Sequence, residues 1–241
     1  MNKKIVWITG GAKGLGSELS KVFVNNDYKV IASSSKNLEN YILGNFIDNS
    51  ILENENFEYL KCDIRNYYEI IDTVNYIIKK YNKIDILINN AGISKFKPFL
   101  EHSIEEIEDI FNINLIGAIY SIKNVLPFML TNKSGLICNI SSVAVIENFT
   151  NCSIYNASKS ALLSFSRTLR NEIRESGIKI FDIILGATNT NIWDENSRIK
   201  YSDKMINPID VANIVFSNID NILNSNFQIE EIIIKPQNGN I

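Results

Sequence analysis

The sequence predicts an α/β fold, a doubly wound domain spanning residues 1–241 around a parallel seven-stranded sheet. Three observations carry this. Short runs rich in Ile, Val and Leu alternate with longer helical patterns almost from end to end. Most of those runs are continuously apolar rather than alternating, the pattern of strands covered on both faces. A glycine turn follows the first run and opens the first helix.

In order, strands are expected at 4–9, 29–33, 57–62, 84–89, 135–140, 179–185 and 231–235. Helices are expected at roughly 15–25, 66–81, 104–130, 153–176 and 208–223. Pro208 with Asp210 beside it marks the start of the last helix. The polar stretch 44–56 reads as a surface excursion. There is no repeat, low-complexity tract or Pro/Gly/Ser linker, so no second domain is expected.

With 45% hydrophobic and 21% charged residues, the 241-residue chain has enough apolar surface for a sizeable core. The 24 basic and 27 acidic side chains leave a charge of −3, with no bulk attraction to nucleic acid or an anionic membrane. No apolar run approaches the ~18–20 residues of a bilayer span. The apolar stretch at the start ends at Gly10-Gly11, too early for a signal peptide. A cytoplasmic location, with neither membrane nor nucleic acid as partner, is therefore expected. Cys62, Cys138 and Cys152 are too few and too scattered for a disulfide framework or a zinc site, and read as small buried hydrophobes. No metal site is expected. The single histidine, His102 in Glu101-His102-Ser103, reads as a surface neighbour of a helix cap. Arg167, Arg170 and Arg174 recur at helical spacing and read as helix-surface partners of Glu172 or Glu175.

The turn Thr9-Gly10-Gly11-Ala12-Lys13-Gly14-Leu15-Gly16 lies between strand and helix. A phosphate needs backbone N–H groups aimed at it and no Cβ in the way, and a helix N-terminus adds its dipole. The spacing G-x-x-x-G-x-G is one residue looser than the Rossmann-type fingerprint, but its position is the same. That fingerprint expects an acid after the second strand for the ribose 2′-hydroxyl of NAD. Here Val30-Ile31-Ala32-Ser33 runs into Ser34-Ser35-Lys36, with no acid. Small hydroxyls and a lysine suit a 2′-phosphate, and Lys13 is in reach of the same group. NADP(H) is therefore expected over NAD(H), by at least about tenfold in affinity.

Four further motifs follow in order: Asn89-Asn90-Ala91-Gly92; Asn114 in Asn112-Ile113-Asn114; Ser141-Ser142; and Tyr155-Asn156-Ala157-Ser158-Lys159. Together with the glycine turn they make the chain resemble the short-chain dehydrogenase/reductase family, over essentially its whole length. Tyr155 and Lys159, at i and i+4, share a helix face. A phenol titrates near ~10, and a neighbouring ammonium lowers that value towards the working range. A serine hydroxyl suits the growing negative charge on a carbonyl oxygen. The resemblance implies that Tyr155 gives the proton, Lys159 also holds the nicotinamide ribose, Ser142 positions the substrate and Asn114 holds a water of the proton relay. Ser141 competes with Ser142, and the thirteen-residue spacing to Tyr155 selects Ser142.

As cofactor contacts the resemblance and the turn together imply Gly10, Lys13, Gly14, Leu15, Gly16, Ser34, Ser35, Lys36, Asp63, Ile64, Asn90, Ala91, Gly92, Tyr155 and Lys159, with Asp63 on the adenine. Around the nicotinamide carboxamide they imply Gly186, Thr188 and Thr190. The family's P-G-x-x-x-T reads Leu185-Gly186-Ala187-Thr188-Asn189-Thr190 here, and losing the proline removes a φ restraint, so a more mobile loop is expected. An apolar, partly aromatic substrate pocket is expected from Ser94, Lys95, Phe96, Val143, Ala144, Ile146, Asn148, Phe149, Ile192 and Trp193. The end, Glu230-Glu231-Ile232-Ile233-Ile234-Lys235-Pro236, lacks the Gly-Gly of 3-oxoacyl carrier-protein reductases and favours a carbonyl-reductase-like member acting on a small carbonyl or secondary alcohol. A 3-oxoacyl-[acyl-carrier-protein] reductase and a non-catalytic dinucleotide-sensing regulator are the alternatives. A homodimer or homotetramer through helices 104–130 and 153–176 is expected from the resemblance.

Overall fold

The computed structural model describes residues 3–44, 46–47 and 49–239. All seven expected strands form: β1 (Ile5–Thr9), β2 (Lys29–Ser34), β3 (Phe57–Lys61), β4 (Ile86–Asn89), β5 (Gly135–Ile140), β6 (Ile178–Leu185) and β7 (Glu231–Ile234). They make one parallel sheet in the order β3-β2-β1-β4-β5-β6-β7. Strand order reverses between β1 and β4, and at such a switch the carboxyl ends of neighbouring strands part to leave a crevice.

The unbroken apolar runs are explained by cover on both faces. In β1, Val6 and Ile8 enter the core layer beneath α1 (Gly14–Asn25) and α9 (Pro208–Leu223). Ile5 and Trp7 enter the opposite layer with α4 (Tyr67–Tyr81) and α6 (Gly117–Asn132). Both layers also draw on the strands beside β1. α9 begins as expected, with Asn207 Oδ1 accepting from the Ile209 N–H ahead of Pro208. Its Val211, Val215, Ile219 and Ile222 are fully buried, each worth about 1.5–3 kcal/mol of transfer free energy.

Residues 44–56 differ from the expected surface excursion. α2 (Leu38–Leu43) and α3 (Asn49–Leu52) fold this stretch back, burying Tyr41, Ile47 and Ile51 in the α1 layer. Within 44–56 the buried pair Ile47 and Ile51, with Leu52 packed against the same layer, docks a stretch that is otherwise mostly polar. A short α8 (Glu195–Tyr201), capped by Asp194, also appears between β6 and α9.

The helix expected at 104–130 is α5 (Ile104–Phe111) continued through a π-helical turn, Asn112–Ile116, into α6. By length and composition this run, Ile104–Asn132, is long and apolar enough to cross a membrane, contrary to the expectation that no segment reaches that size. Ile122, Val125 and Met129 pack into the sheet layer that holds Trp7 and Ile137, and Ile110 is buried as well.

Two side-chain expectations are corrected. His102 is not a surface residue: its side chain is fully buried, neither ring nitrogen has a hydrogen-bond partner, and the nearest carboxylate, Glu106, stands 3.9 Å away. The arginines on α7 (Ser153–Glu172) and just beyond it reach across to β6 and β7 rather than along their own helix to Glu172 or Glu175. Arg170 meets buried Asp182 at 2.5 Å, while Arg167 pairs with Glu231 and Arg174 with Glu230. All three cysteines are buried thiols, as expected.

Candidate active site

A cleft of about 1220 Å³ runs along the carboxyl ends of the central strands. One half is built from backbone. Gly10, with φ +65°, lets the chain turn out of β1, and a Cβ on Gly16 would stand 2.1 Å from the Gly10 carbonyl oxygen. Only glycines leave this turn open at the start of α1, in the way a phosphate requires. The turn is held to the end of β4. Thr9 Oγ1 accepts from the N–H groups of Asn90 and Ala91, both at 3.2 Å, and Asn90 Nδ2 donates to the carbonyls of Thr9 and Gly10. The residues expected to bind the dinucleotide therefore present a cradle whose critical positions a Cβ would fill, and they fit that cofactor.

Every residue expected to touch the cofactor lines this cleft: Gly10, Lys13, Gly14, Leu15 and Gly16; Ser34, Ser35 and Lys36; Asp63 and Ile64; Asn90, Ala91 and Gly92; Tyr155 and Lys159; Gly186, Thr188 and Thr190. Two tertiary arrangements there escape sequence reasoning. The Tyr59 hydroxyl donates to the Lys36 carbonyl and, at 3.3 Å, to that of Ser34, clasping the turn after β2. Arg65 grips Asp63 through Nε and Nη2 and reaches Asp109 of α5 at 2.9 Å through Nη1. That guanidinium holds the Asp63 carboxyl below the usual carboxylate range. Since Arg65 occupies both Asp63 oxygens, the expected adenine contact shares its carboxylate with a cation.

The other half carries the hydroxyls. β5 ends at Ile140, so Ser141 and Ser142 emerge at the crevice. The Ser141 hydroxyl is buried without a partner, whereas the Ser142 hydroxyl accepts from the Ala144 N–H at 3.2 Å and lies near enough to the Tyr155 phenol to favour its ionised form. Tyr155 lies in the first turn of α7, with Lys159 one turn further on the same face. Lys159 Nζ donates to the Ile140 carbonyl at 2.8 Å. A Cβ on Gly92 would stand 3.5 Å from that nitrogen and 3.4 Å from Asn114 Oδ1, which measures how closely the β4 turn, α7 and the π turn converge.

Burial governs the ionisation here. It pushes the Tyr155 phenol up to about 12, against the opposing pull of the nearby Ser142 hydroxyl, and pushes the Lys159 ammonium down to about 8. The expected lowering of Tyr155 by Lys159 does not occur, because both groups are buried and the lysine is directed at a backbone carbonyl.

Asn114 does not line the cleft. It is 1% exposed, behind the wall, and its amide is fully used. Nδ2 donates to the Ile93 carbonyl at 2.9 Å and to Ser158 Oγ at 3.0 Å, and Oδ1 accepts from the Ile93 N–H at 2.9 Å. Ser158 Oγ in turn donates to the Tyr155 carbonyl at 2.7 Å. The π turn thus aims one amide at both the β4 loop and α7.

Of the expected pocket, Ser94, Lys95, Phe96, Val143, Ala144, Phe149, Ile192 and Trp193 line the cleft. Ile146 points to solvent, and Asn148 bonds Asn156 instead. Leu185 pairs with Ile234 as the last residue of β6, and the loop after it is tied by Asn189 N–H to Ile206 and Thr190 N–H to Thr188. Thr190 leans on the glycine turn, where a Cβ on Gly14 would stand 3.2 Å from its Cβ.

Residues 4–200 match the short chain dehydrogenase family. The chain belongs to that family. Its relatives include the 3-oxoacyl-[acyl-carrier-protein] reductase FabG of Buchnera aphidicola subsp. Baizongia pistaciae, 32% identical over 203 residues, which are 83% of this chain and 80% of that one. Carbonyl reductase family member 4 of Xenopus laevis is 32% identical over 192 residues, 80% of this chain and 78% of that one. The closed form of serine dehydrogenase complexed with NADP+ superposes with a TM-score of 0.88 at 26% identity, covering 98% of this chain and 96% of that one. This short-chain dehydrogenase thus keeps the whole fold of its relatives while differing from them at most positions.

Proposed function

We propose that this short-chain dehydrogenase transfers hydride between NADP(H) and a carbonyl or secondary-alcohol group, with Tyr155 as general acid and base. The observation that carries the reading is the convergence of Ser142, Tyr155 and Lys159 in one cleft, where its glycine half meets its apolar half. NADP(H) is supported by the NADP+-complexed relative and by Ser34, Ser35 and Lys36 standing where an acid would serve NAD.

Gly10, Gly14 and Gly16 hold the pyrophosphate on open backbone, and Lys13, Ser35 and Lys36 take the 2′-phosphate. Bound in this cradle, NADPH supplies the hydride. Tyr155 enters reduction already protonated, because burial keeps its phenol neutral at physiological pH. Its hydroxyl gives its proton to the carbonyl oxygen while Ser142 donates a hydrogen bond to the same atom, where negative charge grows. Lys159, directed at the Ile140 carbonyl at the floor of the cleft, holds the ribose. Asn114 serves from behind the wall by fixing Ile93 and, through Ser158, the carbonyl of Tyr155.

NADPH absorbance followed over a panel of ketones, diketones and hydroxy acids tests the reading. Turnover that Tyr155→Phe abolishes without loss of NADPH binding supports it. Tight NADPH binding with no oxidation across the panel refutes it in favour of a dinucleotide sensor. The FabG relative favours a second reading, reduction of 3-oxoacyl carrier-protein thioesters. Acetoacetyl thioester turned over faster than any free diketone would establish that one. The remaining parts of the reading are one domain over residues 1–241, a cytoplasmic location and a homodimer or homotetramer joined through the continuous α5–α6 helix and α7. A light-scattering mass near the 27.4 kDa of one chain would exclude the assembly.

A further inference from the structure

The approach to the Tyr155 hydroxyl is walled by rings from two loops that are distant in the chain. Phe96, in the loop after β4, sets its ring edge-on to Tyr155, with centroids 5.7 Å apart and planes at 79°. Trp193, in the loop after β6, lies over Phe96 with centroids 4.9 Å apart. Ile192 and Phe149 pack against Tyr155 as well.

Phe96 is held in place from both sides. Two residues before it, Ser94 Oγ donates to the Ile192 carbonyl at 2.9 Å, which ties the β4 loop to the β6 loop. One residue after it, the Lys97 N–H donates to the Asn151 carbonyl at 3.0 Å, which ties the same loop to the turn before α7. Asn151 itself takes φ +63°, so the acceptor carbonyl sits in a turn with little freedom to move. Trp193 is tethered too, its N–H donating to the Thr190 carbonyl at 3.2 Å. Phe96 is 39% exposed and Tyr155 only 7%, so the outer ring meets solvent and shields the phenol beneath it.

We infer that Phe96 and Trp193 form an aromatic clasp across the mouth of the substrate half, restricting this enzyme to compact carbonyl compounds. The inference rests on the carbonyl-reductase reading and adds the size limit and the two residues that set it. A carbonyl bearing only methyl-sized groups reaches Tyr155 and Ser142 beneath the paired rings. A carbonyl bearing a ring of its own must part Phe96 from Trp193, losing their mutual contact, or pull Phe96 off Tyr155. Phe96 carries no hydrogen-bond donor, and the reading assigns the proton and the hydrogen bond on the reacting oxygen to Tyr155 and Ser142, so the two rings act on size.

A matched pair of diketones isolates that effect: 2,3-butanedione, and 1-phenyl-1,2-propanedione, in which a phenyl group replaces one methyl. In the wild-type enzyme kcat/KM is expected to favour 2,3-butanedione by at least about tenfold. Trp193→Ala, which removes a ring that touches Phe96, is expected to shrink that ratio by about tenfold, mainly through a lower KM for the phenyl compound. Trp193→Leu keeps apolar bulk and should fall between the two. Phe96→Ala should shrink the ratio too, with a drop in kcat for both substrates because Tyr155 loses a packing partner. NADPH affinity, read by fluorescence titration, should stay within about twofold in the Trp193 variants and reports that they are folded. A ratio that Trp193→Ala and Trp193→Leu both leave unchanged overturns the clasp while the carbonyl-reductase reading stands, as does a wild-type enzyme that prefers the phenyl compound. Failure to reduce either diketone while other carbonyls of the panel are turned over overturns the clasp alone; failure across the whole panel, with NADPH bound, overturns the reading and the clasp with it.

Discussion

The two halves of the cleft are built from different materials. The dinucleotide half is backbone: a left-handed Gly10, a Gly16 with no room for a Cβ, and Thr9 and Asn90 locking two turns together. The substrate half is side chain: two hydroxyls, one buried lysine and a set of rings. Backbone geometry tolerates almost no substitution, whereas side-chain walls change shape with little effect on the fold beneath. The difference separates what the enzyme binds in common with its relatives from what it binds as itself. Mutations in the two halves should accordingly fail in distinguishable ways.

The sharpest separation comes from Tyr155→Phe. Loss of the general acid should lower kcat by roughly 10²–10⁴, and NADPH affinity should change little. If turnover stays near wild type, the substrate half has been given the wrong proton donor. The converse variant is Gly16→Ala. Its methyl would stand 2.1 Å from the Gly10 oxygen and 2.6 Å from Asn90 Nδ2, so the turn must open. NADPH affinity is expected to fall by at least about tenfold, equivalent to ~1.4 kcal/mol, in a protein whose far-ultraviolet circular dichroism is unchanged. Full NADPH affinity in this variant would contradict the division between the halves.

The same division explains what could be read in advance. Strands, glycine turn and the Ser142–Tyr155–Lys159 spacing were legible because each is a local pattern: continuous Ile/Val/Leu, a fixed glycine interval, an i, i+4 pair. Tyr59 was not, since its hydroxyl acts across the β2–β3 pairing on residues more than twenty positions away. Arg65 and Asp109 meet between the β3 end and α5, and no local pattern joins them. Residues 44–56 looked polar because Ile47 and Ile51 are sparse; their alignment with Tyr41 against the α1 layer exists only in the fold. His102 looked solvent-facing for the same reason. The rings at 96 and 193 were legible as apolar, but their contact depends on Ser94 meeting Ile192.

Lys159 joins the two halves, and its burial gives a test by pH. Its folded value, about 8, lies below the ordinary 10.5. Between those values the unfolded chain binds more protons than the folded one, so stability rises with pH. The contribution is fully present above the unfolded value and is lost as pH falls through about 8. In cofactor-free protein, Lys159→Met should be more stable than wild type at pH 7, by on the order of 2 kcal/mol, with the gap closing towards pH 10.5. Thermal melts of both proteins across that range measure it. A constant gap would mean the ammonium is solvated in the apo-cleft.

The smallest effect probes how far the dinucleotide half depends on support from behind. Tyr59→Phe keeps the ring against Tyr41, 6.0 Å between centroids, and removes only the hydroxyl that spans the carbonyls of Ser34 and Lys36. The Ser34 carbonyl keeps a second donor, the Cys62 N–H at 2.9 Å, so the lost restraint falls on the Lys36 end of the turn. That end carries the proposed 2′-phosphate contact, and NADH has no group there. A hydrogen bond of about 0.5–1.5 kcal/mol corresponds to a two- to tenfold weaker Kd for NADPH, with NADH unchanged. Lys36→Ala, which removes the charge itself, should exceed it in the same direction. If both cofactors weaken equally in Tyr59→Phe, the hydroxyl supports the whole β2–β3 edge and not the turn; if Lys36→Ala leaves the NADPH preference intact, the 2′-phosphate is held elsewhere.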